Sequence, residues 1–290
     1  MQSIAQNLTY GLFVGSIYGV AAAGLALIFG VLRVLNVAHG ELLMFGGYIG
    51  FWLFTLMGVD PFISLPVAAL AMFVVGLLLD RTVFQRLVHL PGETKLKNSL
   101  LVSFGLTLIL QNTAQQFFTA DERAIQLDYS GASLNLFGVI LPYTRLISLA
   151  VALGAILALH FFLHRTFSGK AIRAVSEDGE SAALAGINVE RTYLYTFGIG
   201  AALAGIAGGL VVLGYGIAPT IGLTWTLKAL VVITLAGTGS VIGIFPAGLL
   251  LGLVEALSGT VLGSAYQEVV GLVMFLLVLM LRPSGLFGKS

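Results

Sequence analysis

The chain contains no cysteine at all. That removes disulfides, thiol catalysis and thiolate-bound metals from consideration. Charge is nearly as scarce: only 9% of the 290 residues are charged, while 58% are hydrophobic. Ordinary soluble domains carry roughly 25% and 45–50% respectively. A water-soluble globule needs a wet, charged exterior, so a chain of this composition belongs in lipid. A basic excess is also missing. The formal net charge of +1 argues against nucleic acid, whose binders concentrate positive charge on one face. No Lys or Arg precedes Arg33, so the positive n-region of a signal peptide is absent, and the first apolar stretch is expected to stay in the membrane.

Long uncharged runs fill the space that charge leaves. They cover 11–32, 42–59, 62–79, 98–120, 146–163, 192–227, 229–254 and, with Glu268 near its start, about 265–281. About 20 apolar residues cross a hydrocarbon core roughly 30 Å thick. The two longest late runs must therefore fold back or break, with Pro219 and Gly237-Thr238-Gly239-Ser240 as the obvious interruptions. The expected fold is an all-α integral membrane bundle of about nine transmembrane helices (eight to ten), some of them broken, forming a single domain over 1–290. Ten of the fourteen Lys and Arg fall in three clusters: 81–97, 165–191 and the tail. Basic loops stay cytoplasmic, which puts the N-terminus outside and the C-terminus in the cytoplasm. The external loop 121–145 is mainly acidic.

Glycine is plentiful, 37 residues, and regularly spaced. Gly11, Gly15, Gly19 and Ala23 recur every fourth residue, as do Ala201, Gly205 and Gly209, and Gly248, Gly252 and Ala256. Small residues at this spacing let helix backbones approach closely. These stripes predict a tight bundle and nothing more.

Polar residues gather in three places. The loop 168–191, SGKAIRAVSEDGESAALAGINVER, carries charges of both signs and helix start and stop signals around 181–185. Ala182, Ala183, Leu184 and Ala185 form a small apolar knob beside Glu177 and Asp178, ending in Gly186-Ile187-Asn188. A solvated linker needs no such knob, so a protein partner on the cytoplasmic side is its natural receiver. The second place is Asn36-Val37-Ala38-His39-Gly40-Glu41 between the first two apolar runs. Ionisable groups at membrane depth are costly and normally face a cavity or one another; at the interface they are merely wet. Both readings are open for Asn36, His39 and Glu41. Two ligands two residues apart are too few for a metal. The third is the interruption 214–228, read as followed by a helix of about 12 Å before Gly237. Short, Gly/Pro-interrupted segments are pointers to a transport path, which adds Lys228, Gly237 and Gly239 to the candidates.

The loop 168–191, together with NVAHGE at 36–41, AGTGSVIG at 236–243 and RPSGLFG at 282–288, resembles the permease of branched-chain amino-acid ABC importers, and specifically the shorter of its two permease subunits. Val37 stands where the family commonly has Phe. The resemblance implies a transport subunit of the bacterial inner membrane with no ATPase site or cofactor of its own. It implies as partners a second homologous permease, two ATPase subunits that bind the ATP, and an external substrate-binding protein. It also implies that the loop at about 164–191 holds a coupling helix, with Glu177, Asp178, Leu184, Gly186 and Asn188 (and Ala182 in the knob) facing an ATPase subunit.

Other features are set aside. The terminal GLFGKS lacks the first glycine of a phosphate loop and any following helix. Glu255 and Glu268 flank an external turn and are read either as lining its mouth or as a simple exposed loop, and His160 and His164 as interfacial. An ion-coupled secondary transporter of small polar solutes is the rival reading; it would want buried acids, and mid-helix acids are expected to be nearly absent. An intramembrane enzyme would need a catalytic constellation that the sequence does not offer.

Overall fold

The computed structural model describes residues 2–127, 129, 131–136, 138–237, 241–282 and 285–287. Among these described residues, twelve helices and one short hairpin follow in order. They are α1 (Gln2–Leu32), α2 (His39–Met57), α3 (Pro61–Leu79), α4 (Gln85–Val88) and α5 (Gly92–Phe118). Strands β1 (Ser133–Leu136) and β2 (Val139–Pro142) pair antiparallel, a departure from an all-helical chain confined to the 121–145 loop. Then come α6 (Tyr143–Arg165), α7 (Phe167–Glu177), α8 (Gly179–Leu184), α9 (Val189–Gly214), α10 (Ile221–Ala236), α11 (Val241–Val261) and α12 (Gln267–Leu281).

Six helices among the described residues are long and apolar enough to cross a membrane: Ile4–Leu32, His39–Met57, Pro61–Val88, Tyr143–Arg165, Val189–Gly214 and Gly243–Val261. The third runs through a π-helical turn at Asp80–Phe84. Helix α5 has the length, 27 residues, but Glu93, Lys95, Lys97 and several Asn and Gln dilute its apolar character. Helices α10 and α12 are apolar but shorter, at 16 and 15 residues. At about 1.5 Å per residue they reach only about 22–24 Å. For α10 this still corrects the expected 12 Å: the helix begins at Ile221, not after Lys228, so Lys228 lies inside it and the interruption shrinks to 215–220.

The glycine stripes interlock backbones. A Cβ on Gly11 would fall 2.6 Å from the Gly252 carbonyl, one on Gly15 2.6 Å from the Gly248 carbonyl, and one on Gly19 2.9 Å from the Phe245 ring. The ascending and descending numbers show α1 and α11 antiparallel in direct backbone contact. Gly205 is pinched in the same way between Gly46 of α2 and the Ala68 carbonyl of α3. No side chain fits at these crossings, so close packing replaces the hydrophobic drive that lipid cannot supply. Helix α1 is thereby buried through its centre, with Val20, Ala22, Leu25 and Ile28 inaccessible. The outward faces of α3, α5 and α12 instead expose Leu70, Leu101, Ile109, Met280 and others, as lipid- or subunit-facing helices do.

At one end of the bundle the chain crosses between helices in the 121–145 hairpin segment. At the other end lie α7, α8 and the tail. There Leu286 N–H donates to the Leu235 carbonyl at 2.7 Å and Phe287 N–H to that of Ala236 at 3.2 Å. The tail thus pairs with the last carbonyls of α10, which a helix end otherwise leaves open.

Candidate functional site: a re-entrant break and a capped surface helix

Helix α1 ends at Leu32, and Arg33 takes a left-handed conformation (φ 56°). The chain then runs back into the bundle. His39, the first residue of α2, places Nε2 3.0 Å from the carbonyl of Ala21, to which it donates. Ala21 lies eleven residues before the end of α1, about 16 Å along its axis. The break is therefore re-entrant, not peripheral, and α2 starts level with the middle of α1.

Backbone groups in such a break must find partners, since an apolar interior offers no water. Helices α5 and α10 supply them. Ser99 Oγ accepts from Leu35 N–H at 3.0 Å, and Ser103 Oγ accepts from Val37 N–H at 3.1 Å. Thr226 Oγ1 accepts from Gly40 N–H at 2.8 Å and lies 2.9 Å from the Val37 carbonyl, to which it can donate. Gly40 permits this approach: a Cβ there would sit 1.8 Å from the Gly222 carbonyl. The first turn of α10 thus presses on the first turn of α2, and two helix N-termini meet inside the bundle.

Side chains at this junction are not satisfied as the backbone is. Asn36, His39 and Glu41 are all buried, yet both polar atoms of the Asn36 amide, Nδ1 of His39 and Oε2 of Glu41 have no hydrogen-bond partner among the described residues. The Glu41 carboxylate lies against Gly222, where a Cβ would come within 2.3 Å of it. Two helix N-termini carry partial positive charge towards this acid.

Lys228 does not reach the junction as a free cation. Its ammonium pairs with Glu255 of α11, and Tyr18 Oη donates to the other carboxylate oxygen at 2.8 Å. Glu255 is thus buried between α1, α10 and α11, correcting its reading as an exposed loop residue. Together with Asp80 it also corrects the expectation that mid-helix acids are nearly absent, and Glu41, in the first turn of α2, is a third buried acid. Gly237 ends α10 at φ 86°, and a Cβ on Gly285 of the tail would lie 2.4 Å from it; it is packed rather than open. Gly239 lies outside the described residues.

The surface loop is built from caps. Thr166 caps α7 by accepting from Gly169 N–H at 3.0 Å. Asp178 ends α7 and caps α8, accepting from Glu180 N–H at 3.0 Å and Ser181 N–H at 3.3 Å, with the Ser181 hydroxyl also donating to it. That hydroxyl, and then the Ser181 amide, hold the Asp178 carboxyl below its ordinary range. Helix α8 closes with Gly186 at φ 85°. Ile187 N–H bonds to the Ala182 carbonyl at 3.0 Å and Gly186 N–H to that of Ala183 at 2.9 Å, the paired bonds of a Schellman end. Asn188 then caps α9 by accepting from Arg191 N–H at 2.9 Å.

These caps sort the knob residues. Leu184 is 91% exposed, and Ala183 and Ala185 are exposed beside it. Ala182 is only 5% exposed and packs into the chain's own core. It cannot contribute to a partner's contact, which corrects its place in the apolar knob. Glu177 stays at the exposed rim, while Asp178, Gly186 and Asn188 shape the loop.

Residues 7–279 match the family described as the permease component of branched-chain amino acid transport systems. The chain belongs to that family. It is 34% identical to the high-affinity branched-chain amino acid transport system permease protein BraD of Pseudomonas aeruginosa, over 98% of this chain and 95% of that one. It is 32% identical to the LivH permease protein of the corresponding system in Escherichia coli K12, again over 98% and 95%. Among solved structures it is similar to PsaBC from Streptococcus pneumoniae in complex with Fab, with a TM-score of 0.52 over 98% of this chain and 93% of that one. Identity there is 14%, so the likeness concerns the fold alone. A family permease with six apolar crossing helices among its described residues is a multi-pass membrane protein. As a permease component of an ABC transport system it works with ATPase and binding-protein components.

Several residues of the junction escape a reading of the sequence. Ser99, Ser103 and Thr107 recur every fourth residue along one buried face of α5, and that spacing is a visible signal. Thr226 carries none, because a single Ser or Thr hydroxyl in an apolar run usually bonds its own helix.

Proposed function

We propose that this chain forms half of the translocation path for branched-chain or related small amino acids in the bacterial inner membrane. It pairs with a second homologous permease, is driven by two ATPase subunits, and receives substrate from an external binding protein. The path passes the re-entrant junction at Asn36, His39 and Glu41. Their unpaired polar atoms in a buried position support this, since buried groups of this kind normally find partners and intramembrane ionisable groups mark substrate routes. Nine crossings follow if α5, α10 and α12 join the six apolar helices, with the N-terminus outside. The basic residues Arg165, Lys170, Arg173 and Arg191 around α7 and α8 favour a cytoplasmic location for that end.

The observation that carries the reading is Leu184, a large apolar side chain held almost fully exposed on a rigid, doubly capped six-residue helix. Such a residue suits a groove on another protein, here an ATPase subunit, with Glu177 at its edge. The test is the purified complex in liposomes: ATP hydrolysis and leucine uptake should both rise when liganded binding protein is added. Uptake that ignores ATP and collapses with an ionophore would establish the ion-coupled alternative instead.

A further inference from the structure

A strap of chain lies outward of the junction, over the same helix. Beyond Phe118, the last residue of α5, residues 119–127 run across the outer part of α2. Ile125 and Leu127 turn inward, each 7% exposed, while Ala124 and Gln126 face out, the alternation of an extended segment. The two inward side chains join Met44, Tyr48 and Phe51 of α2 and Ile217 in a small apolar cluster apart from the main core. Ile217 belongs to the interruption 215–220 just before α10, and it packs on Gly47 of α2, where no side chain would fit. Met44, Tyr48 and Ile217 are at most 1% exposed. A sealed layer therefore stands directly outward of Glu41.

Arg123 fastens the strap. Its N–H donates to the Ile217 carbonyl at 2.8 Å, and its own carbonyl accepts from Ile217 N–H at 2.7 Å. Nη2 donates to the Phe118 carbonyl at 3.2 Å. The guanidinium lies 5.7 Å from the Phe51 ring centre and 5.4 Å from that of Trp52, within cation–π range. Yet the seat is costly. Thr119, where the strap leaves α5, has φ 67° and ψ 172°, a region that is close to glycine-only and strained for a β-branched residue. Tyr48 Oη, Trp52 Nε1 and Arg123 Nε are buried without hydrogen-bond partners among the described residues, although buried polar groups normally have them. A permanent plug would be better served by glycine at 119 and phenylalanine at 48. Strain and unpaired donors that a rearrangement would relieve are features of switch segments.

We propose that residues 119–127 form an outer gate, which closes the route to Glu41 when seated and opens it by lifting away from Ile217. Thr119 is the hinge and Arg123 the latch. Ile217 leads into the first turn of α10, which packs on the first turn of α2 through Gly222 and Gly40. Release of the strap therefore frees the two helix starts that close around Glu41. The inference rests on the transport reading above.

The chain has no cysteine, so Ile125→Cys places this subunit's one thiol beneath the strap. Its reaction with an impermeant maleimide, added outside liposomes that hold the assembled transporter, reads opening directly. The rate is expected to rise about tenfold or more when ATP is inside and leucine-loaded binding protein outside. Leu134→Cys, exposed already, reports any masking by the binding protein and sets the scale. Arg123→Gln in the Ile125→Cys chain should raise the resting rate about tenfold, through loss of cation–π and charged hydrogen-bond contacts. Thr119→Gly should instead lower it, because glycine accepts the seated conformation without strain; a hinge merely loosened would respond in the opposite sense. Equal resting and turnover rates would overturn the proposal, as would a faster resting rate in Thr119→Gly or an unchanged one in Arg123→Gln. Leu127→Cys, buried to the same degree, repeats the measurement if Ile125→Cys disturbs folding. Failure of the transport reading shows separately, as absence of amino acid uptake by the unaltered complex.

Discussion

The buried ion pair between Lys228 and Glu255 gives the most quantitative prediction. The two side chains are 14% and 9% exposed, and they join α10 to α11 while Tyr18 ties the same carboxylate to α1. Lys228→Met keeps the length and apolar stem of the side chain but leaves the Glu255 charge buried with only the Tyr18 hydroxyl. Breaking one side of a buried pair costs about 3–5 kcal/mol, at least about a hundredfold in the unfolding equilibrium. Glu255→Leu strands the ammonium and should cost a similar amount. The double variant Lys228→Met/Glu255→Leu removes both charges together and should return to within about 1 kcal/mol of the original chain, because paired charges and packed apolar groups nearly break even in the interior. Denaturation of the purified permease in detergent, followed as a double-mutant cycle, reads this directly. Single variants that each cost under about 1 kcal/mol, with the double equal to their sum, would refute the coupling. Uptake by the double variant separates two roles for the pair. Full uptake makes it a staple between helices, whereas a stable double variant without uptake keeps Lys228 on the substrate route.

Leu184→Asp should leave the permease folded, since the side chain is exposed, but should reduce recovery of the ATPase subunits by about thirtyfold in affinity, the usual cost of a central interface residue; Ala182→Asp, aimed into the core, should instead lower the yield of folded permease. Gly222→Ala would push a Cβ to 2.3 Å from the Glu41 carboxylate and should cost about 1–3 kcal/mol in detergent stability, while Gly30→Ala, with open space around it, should be neutral. Because the chain has no cysteine, a Cys at Ala132 should react with an impermeant thiol reagent from outside and one at Ser176 only after the membrane is opened; the reverse pattern would invert the orientation.

What is legible in the sequence follows from periodicity and from local backbone chemistry. The small-residue stripes predict backbone contact, and the α1–α11 and α3–α9 crossings have it, because spacing of four is a geometric property of one helix. A short helix at about 181–185 is legible from Ser176 and Gly179-Glu180-Ser181 within a few residues, although the structure starts it at Gly179 and caps it with Asp178 rather than Ser176. Depth is not legible. Asn36–Glu41 reads the same at an interface as at the middle of α1, since only the fold decides where an interruption lies. Exposure within the knob is hidden for the same reason: Ala182 and Ala183 are adjacent and alike, and only the docking of α8 on the chain's own core separates them. Glu255 is misplaced by its sequence neighbourhood because its partners, Lys228 and Tyr18, lie 27 and 237 residues away.

The junction also shows a division between what is held and what is left available. An interrupted helix exposes backbone amides and carbonyls that cost free energy wherever water is excluded. Here those groups are satisfied by hydroxyls from other helices, Ser99 and Ser103 from α5 and Thr226 from α10. The polar side chains of the same segment are satisfied only in part: His39 Nε2 donates to Ala21, but both Asn36 amide atoms, Nδ1 of His39 and Oε2 of Glu41 have no partner among the described residues, although neighbouring helices pack against them as tightly as glycine allows. If the break were only a structural irregularity, apolar side chains at 36, 39 and 41 would fill the space at lower cost. Retaining an amide, an imidazole and a carboxylate there is costly in the state described and useful only in one where a polar guest or solvent reaches them. Helices α5 and α10 hold the break through a few hydroxyl hydrogen bonds each, so moving either helix away would have to break them. The same hydroxyls that stabilise the break therefore tie its opening to movement of the helices around it.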